Sequence, residues 1–156
     1  RQADIPVAVQ VARRVPPAAP PVRLDRARVG QVLWNLIRNA VQAMNGSGSL
    51  TISASVQGDR MRVEVQDSGP GIQAIDHERI FEPLYTTKPA GVGLGLAISR
   101  AYARSVGGNL YAEVRDTPGA CMVLEVPVAV VVEDRATAST AEMPDLGGTE
   151  ARSSFY

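Results

Sequence analysis

The chain has 156 residues, of which 45% are hydrophobic and 21% charged, the proportions of one globular domain with a single core rather than a multidomain assembly or a disordered chain. Sixteen basic residues balance sixteen acidic ones, so no bulk field draws it to nucleic acid or an anionic membrane surface, and neither is expected as a partner. One cysteine and one histidine exclude an internal disulfide and a protein zinc site, and they favour a reducing, cytoplasmic setting.

In chain order, Ile5 to Ala12 alternates at the period of a half-buried strand, and Pro16, Pro17, Pro20 and Pro21 then impose an extended connection. Asp25 is placed to cap a helix in which Val29, Val32, Leu33, Leu36, Ile37, Ala40, Val41 and Met44 form one apolar stripe ending near Gly46. Leu50–Val56 and Met61–Val65 alternate again around Gln57, Gly58 and Asp59, as a hairpin does. Beyond Asp67 come DSGPGI, a short helix expected around Ile75–Phe81, the loop EPLYTTKPA and GVGLGL, the length and composition of a functional loop system. Gly95 opens a second amphipathic helix through Val106, stopped by Gly107 and Gly108, and two last strands are expected near Asn109–Val114 and Cys121–Val126. Strands with two long helices predict a two-layer α/β (α+β) sandwich. The folded domain is placed at residues 1–130; residues 131–156, rich in Ala, Thr, Ser, Glu and Gly, read as a flexible tail or linker. No apolar run approaches the ~20 residues that span a bilayer. The opening Arg1–Gln2 lacks a methionine and reads as a cut from a longer chain.

Three features carry chemistry. Asn35 and Asn39, four apart, emerge on one helix face; solvated amides are the plain alternative. Asp67 ends a strand and is followed by Gly69 and Gly71, which let backbone approach a flat ligand; the carboxylate can accept from an exocyclic amine, and a simple turn is the alternative. Gly91, Gly93 and Gly95 lead straight into a helix, whose free N–H groups and positive end suit phosphate, though such a triplet alone is weak evidence.

Taken in order, NLIRNAVQA, DSGPGI, IFEPLYTTK and GVGLGL resemble the N, G1, F and G2 boxes of the histidine-kinase ATP-binding domain, within the superfamily that also holds type II topoisomerase, heat-shock chaperone and mismatch-repair ATPases. The resemblance covers residues 5–127, and the TTK loop and QA ending are most similar to the nitrogen-regulation type of sensor kinase. It implies the fold of that superfamily, a mixed, largely antiparallel sheet with the helices on one face, with ATP and Mg2+ as cofactors. Asn39 would be the magnesium ligand and Asp67 the adenine reader. Gly69, Gly71 and Ile72 would shape the base pocket, and Phe81 would anchor a lid carrying Thr87 and Lys88, the chain's one lysine. Gly91, Gly93, Leu94, Gly95 and Leu96 would form the phosphate-side wall. Asn35 stands where the ATPases usually carry a water-activating glutamate, which an amide cannot replace, so slow hydrolysis is expected. Many sensor kinases have Lys and Tyr three and four residues after the magnesium asparagine; this chain has Gln42 and Ala43, and Lys88 or Arg38 would supply the cation.

The resemblance therefore implies the catalytic half of a sensor histidine kinase, in which Asn35, Asn39 and Lys88 serve catalysis. The acceptor histidine would lie on a separate dimerisation domain, and a response regulator would follow. It further implies a cytoplasmic position, in the cytoplasmic part of a membrane-bound sensor if the whole protein is anchored. An ATPase or conformational clamp of the same superfamily, and a degenerate docking module, stand as alternatives. His77 is expected at the surface and Cys121 in the core.

Overall fold

A computed structural model describes residues 8–86 and 91–129. Five strands form one sheet, β1 (Val9–Arg14), β2 (Gly48–Gln57), β3 (Arg60–Asp67), β4 (Asn109–Glu113) and β5 (Cys121–Pro127), in the order β1-β2-β3-β5-β4. β1 pairs with β2 in parallel and every other pairing is antiparallel, giving the mixed, largely antiparallel sheet that the resemblance implies. Two helices, α1 (Arg26–Ala43) and α2 (Gly95–Ser105), pack on one face.

Period explains most of this. In α1 the stripe that recurs every three or four residues puts Val32, Leu36, Ala40 and Met44 into the core. Asp25 starts the helix as read: its Oδ1 accepts from the backbone N–H of Ala27 (2.8 Å) and Arg28 (3.2 Å). Period two in the strands turns Leu50, Met61, Val65, Leu110, Met122, Leu124 and Val126 toward the same core.

Three boundaries differ from expectation. The first strand runs Val9–Arg14 rather than Ile5–Ala12; residues 5–7 lie outside the described residues, and only Val9 is buried, because an edge strand is held by its backbone ladder to β2. Instead of one short helix at 75–81, two single 3-10 turns, Ala74–Asp76 and Arg79–Phe81, follow each other, neither with a side-chain cap. The hairpin turn is shortened to Gly58–Asp59, because pairing continues to Gln57 opposite Arg60. Residues 131–156, read as a tail, lie outside the described residues.

The sheet's other face is charged rather than apolar. Arg62, 8% exposed, donates from Nε to Glu64 (2.7 Å), from Nη2 to Glu113 (2.5 Å), and from Nη1 to Tyr111 Oη (2.8 Å) and Glu125 (3.3 Å). Arg115 pairs with Glu64 (2.8 Å) and Glu113 (2.6 Å). Burial disfavours the charge on Arg62, but the bonds it donates to Glu64 and Glu113 outweigh it and raise its pKa. Burial likewise works against the carboxylates of Glu64 and Glu113, yet bonds from Arg62 and Arg115 hold both below the usual range. Tyr111 is pushed up to about 12 by burial and by donating to Glu125. Beneath this lattice Cys121 is buried, as expected, and burial pushes its thiol up to about 11, which makes it inert at neutral pH.

Candidate functional site

The apolar stripe of α1 orients a second row beside it. Asn35, Asn39 and Ala43, each four residues from the next, are all half-buried at the border of the core. Different parts of the fold reach the two ends of that row. At the first end Asn35 Nδ2 donates to Oγ of Ser99 on α2 (3.1 Å), and Ser99 is itself buried. Gly95, the first residue of α2, lies against the same amide: a methyl group there would sit 2.6 Å from Asn35 Oδ1, so any side chain would displace that amide.

At the other end of the row is Asp67. A methyl on Gly69 would lie 3.4 Å from the carbonyl of Ala43 and 2.9 Å from Asp67 Oδ1, which places the turn after β3 against the last residue of α1. Asp67 is only 5% exposed, and its Oδ1 accepts from the backbone N–H of Gly69 (2.8 Å) and of Ala120 (3.2 Å). None of the described residues donates to Oδ2, which leaves that oxygen to accept from a ligand. From Asn35 to Ala43 the helix rises ~12 Å at ~1.5 Å per residue, with Asn39 midway. That span is comparable with the length of an extended nucleoside triphosphate.

The remaining candidate residues lie in the segments after β3 and on α2. Ile72, in the turn after β3, packs on the core, and Gly71 approaches the carbonyl of Gly119. Phe81 is buried, with the Arg100 guanidinium 4.4 Å over its ring; Arg100 also holds Glu78 (2.7 Å). That ion pair lowers the pKa of Glu78. Gly93 O accepts from Leu84 N–H (2.9 Å), which ties the segment before α2 back to the end of the F-box turn. Gly91 is exposed, Leu94 is the uncapped residue before α2, and Leu96 packs on the core. α2 begins without a side-chain cap, and the positive end of its dipole suits an anion. Thr87 and Lys88 lie outside the described residues. Arg38 is exposed on α1.

Among the described residues no group of three or more His, Cys, Asp or Glu could hold a metal ion. Magnesium keeps several waters and binds phosphate through few protein oxygens, and the amide oxygen of Asn39 is chemically suited to such a cation. A groove of about 210 Å³ beside β4, lined by Ile72, His77, Arg115 and Gly119 among others, includes neither Asp67 nor Asn39. His77 is half-buried rather than on the surface, its Nε2 lying 3.2 Å from the Ile72 carbonyl. Sequence reading missed Ser99, Arg100 and Ala120. The first two carried no motif, but Pro118–Gly119 between two strands was a visible turn signal.

The fold and this site define a class: a five-stranded mixed sheet under two helices, with amides on the first helix, a strand-end aspartate and a glycine-led second helix. Residues 24–130 match the histidine kinase-, DNA gyrase B- and HSP90-like ATPase family, and the chain belongs to it. Sensor histidine kinase ZraS of Escherichia coli O157:H7 is 38% identical over 115 residues, covering 74% of this chain and 25% of that protein. The catalytic domain of histidine kinase ThkA superposes with a TM-score of 0.70 at 34% identity, covering 78% of this chain and 81% of that one. A structure of ThkA in complex with the response regulator protein TrrA matches with a TM-score of 0.66 at 32% identity, over 78% of this chain and 34% of that one. The chain is thus homologous to the catalytic ATP-binding domains of sensor histidine kinases, and it spans a quarter or less of the length of the curated relatives it matches, from 25% of ZraS to 12% of TmoS. No helix among the described residues is long and apolar enough to cross a membrane.

Proposed function

We propose that this chain binds Mg-ATP along the Asn35–Asn39–Ala43 row and presents the γ-phosphoryl group to a histidine on a separate dimerisation domain of the same kinase. The observation that carries this reading is the placement of Asp67 and the start of α2 at opposite ends of that row. Asp67 Oδ2 would accept from the adenine amine, with Gly69, Gly71 and Ile72 beside the base. The uncapped N–H groups of α2 and the backbone at Gly91, Gly93, Leu94 and Leu96 would receive the phosphates. Phe81 would anchor the segment carrying Thr87 and Lys88, whose charge would lie on the phosphate side. Asn39 would hold magnesium, which supplies charge neutralisation to the triphosphate.

The transfer breaks the bond from the γ-phosphorus to ADP and forms one to an imidazole nitrogen of the acceptor, a reaction helped mainly by positioning. Asn35, engaged with Ser99 and lacking a carboxylate, cannot take a proton from water, so the bound γ-phosphoryl group survives until the acceptor arrives. A response regulator would then take the phosphoryl group, as the ThkA complex with TrrA suggests by homology. We assign residues 1–130 to this domain, residues 131–156 to a linker, and the whole to the cytoplasm.

Isothermal titration with ATP, with and without magnesium, tests the binding, and labelled phosphate on an added acceptor domain tests the transfer. Magnesium-dependent binding, a labelled acceptor and little free phosphate are expected. Absence of ATP binding refutes the reading, and rapid release of phosphate without a labelled histidine replaces it with the ATPase alternative.

A further inference from the structure

We propose that the turn between β4 and β5 sets adenine selectivity, with Gly119 as a positioning residue that acts through the Asp67 carboxylate. This rests on the reading of Asp67 as the adenine acceptor and extends it to a segment outside the N, G1, F and G2 boxes.

The last strand pair between β3 and β5 is Gln66 with Cys121, yet the two segments stay joined one residue further. Asp67 N–H donates to Ala120 O (3.0 Å), and Ala120 N–H donates to Asp67 Oδ1 (3.2 Å). The returning bond therefore ends on the side chain that faces the site rather than on the backbone. Such an approach requires a glycine at 119: its φ is +94°, and a Cβ there would collide with the Asp67 carbonyl oxygen and lie 3.1 Å from Ser68 Cα. From the other side Gln66 Nε2 donates to Asp67 O (3.2 Å) and to Pro118 O (3.3 Å), clasping the turn to the end of β3.

The consequence lies in the carboxylate. One N–H, from Gly69, would leave its plane free to swing about a single bond. A second, arriving from Ala120 on a different segment, fixes the plane by converging on the same oxygen. Oδ2 is then presented in one direction, and a fixed acceptor discriminates for a ligand amine better than a swinging one, because the ordering entropy is already spent.

The test compares ATP with purine riboside triphosphate, in which hydrogen replaces the amine, by calorimetry with magnesium, for the parent, Gly119→Ala and Gln66→Ala. The parent should prefer ATP by about tenfold or more, the scale of a hydrogen bond to a charged group. Gly119→Ala should lose most of that preference while its affinity for the analogue falls by less than about threefold, and Gln66→Ala should fall between. A structural defect would weaken both nucleotides alike and leave the ratio intact; that result overturns the positioning role. A parent without preference refutes Asp67 as the adenine reader. A preference that persists in the variants refutes only the role of the turn. If Gly119→Ala does not fold, Gln66→Ala decides on the same ratio.

Discussion

Replacing Arg62 with methionine should destabilise the domain by an amount that depends on pH in a definite direction. Truncating one partner of a buried ion network costs about 3–5 kcal/mol, because the other charges stay behind uncompensated. Here Arg62 leaves three carboxylates, those of Glu64, Glu113 and Glu125, whose side chains are 19%, 30% and 28% exposed. Arg115 still covers Glu64 and Glu113, and Tyr111 still donates to Glu125 (2.6 Å). Partial hydration and these remaining partners reduce the expected loss to about 2–3 kcal/mol at pH 7. Glu64 and Glu113 have lowered pKa values in the folded parent, so their stabilisation is complete above the ordinary value of ~4.3 and disappears as pH falls through the folded values. In the variant the same carboxylates repel one another, and protonation relieves them. The deficit should therefore shrink as pH falls from 7 toward about 4, which urea denaturation of both proteins at several pH values would measure. A deficit below ~0.5 kcal/mol at pH 7, or one of equal size across that range, would refute the assignment of Arg62 as the centre of the network.

Asp67→Asn should weaken ATP binding by ~1–3 kcal/mol, since an amide offers a donor where the adenine amine needs an acceptor; unchanged affinity by calorimetry would remove Asp67 from the site. Chelation of magnesium should weaken ATP binding in the parent and have little further effect in Asn39→Ala, measured by the same titration with and without EDTA. Asp25→Ala should lower stability by ~1 kcal/mol through loss of the two cap bonds to Ala27 and Arg28, with nucleotide affinity preserved in the folded fraction.

What was legible in the sequence followed from period and punctuation. The α1 stripe, the hairpin and the glycines before α2 each declare themselves locally, and so the α1 row, the end of β3 and the start of α2 could be placed before any coordinates. The Arg62 lattice could not. Arg62, Glu64 and Gln66 alternate like any solvent-facing strand positions, and only the register that sets Arg62 opposite Glu125 and Glu64 opposite Val123 brings the charges together. Ser99 and Ala120 were invisible for a different reason: one acts through a hydroxyl on a helix ordinary in composition, the other through its backbone alone. The strand boundary at β1 failed because alternation was taken as a sign of burial, whereas Val11 is 48% exposed on an edge.

That edge has a consequence for the order in which the molecule assembles. Among the described residues β1 is bonded to the sheet only along β2, in the parallel register from Val9 opposite Gly48 to Arg14 opposite Ser53, and all of α1 intervenes between the two strands. Parallel pairs are slightly weaker per residue, and this one requires closure of a long loop before any ladder bond forms. The antiparallel strands β2, β3, β5 and β4 can zip without it. β1 should then be the last strand to dock and the first to open, so that its amides exchange with solvent through a local excursion while those of β3 and β5 wait for global unfolding.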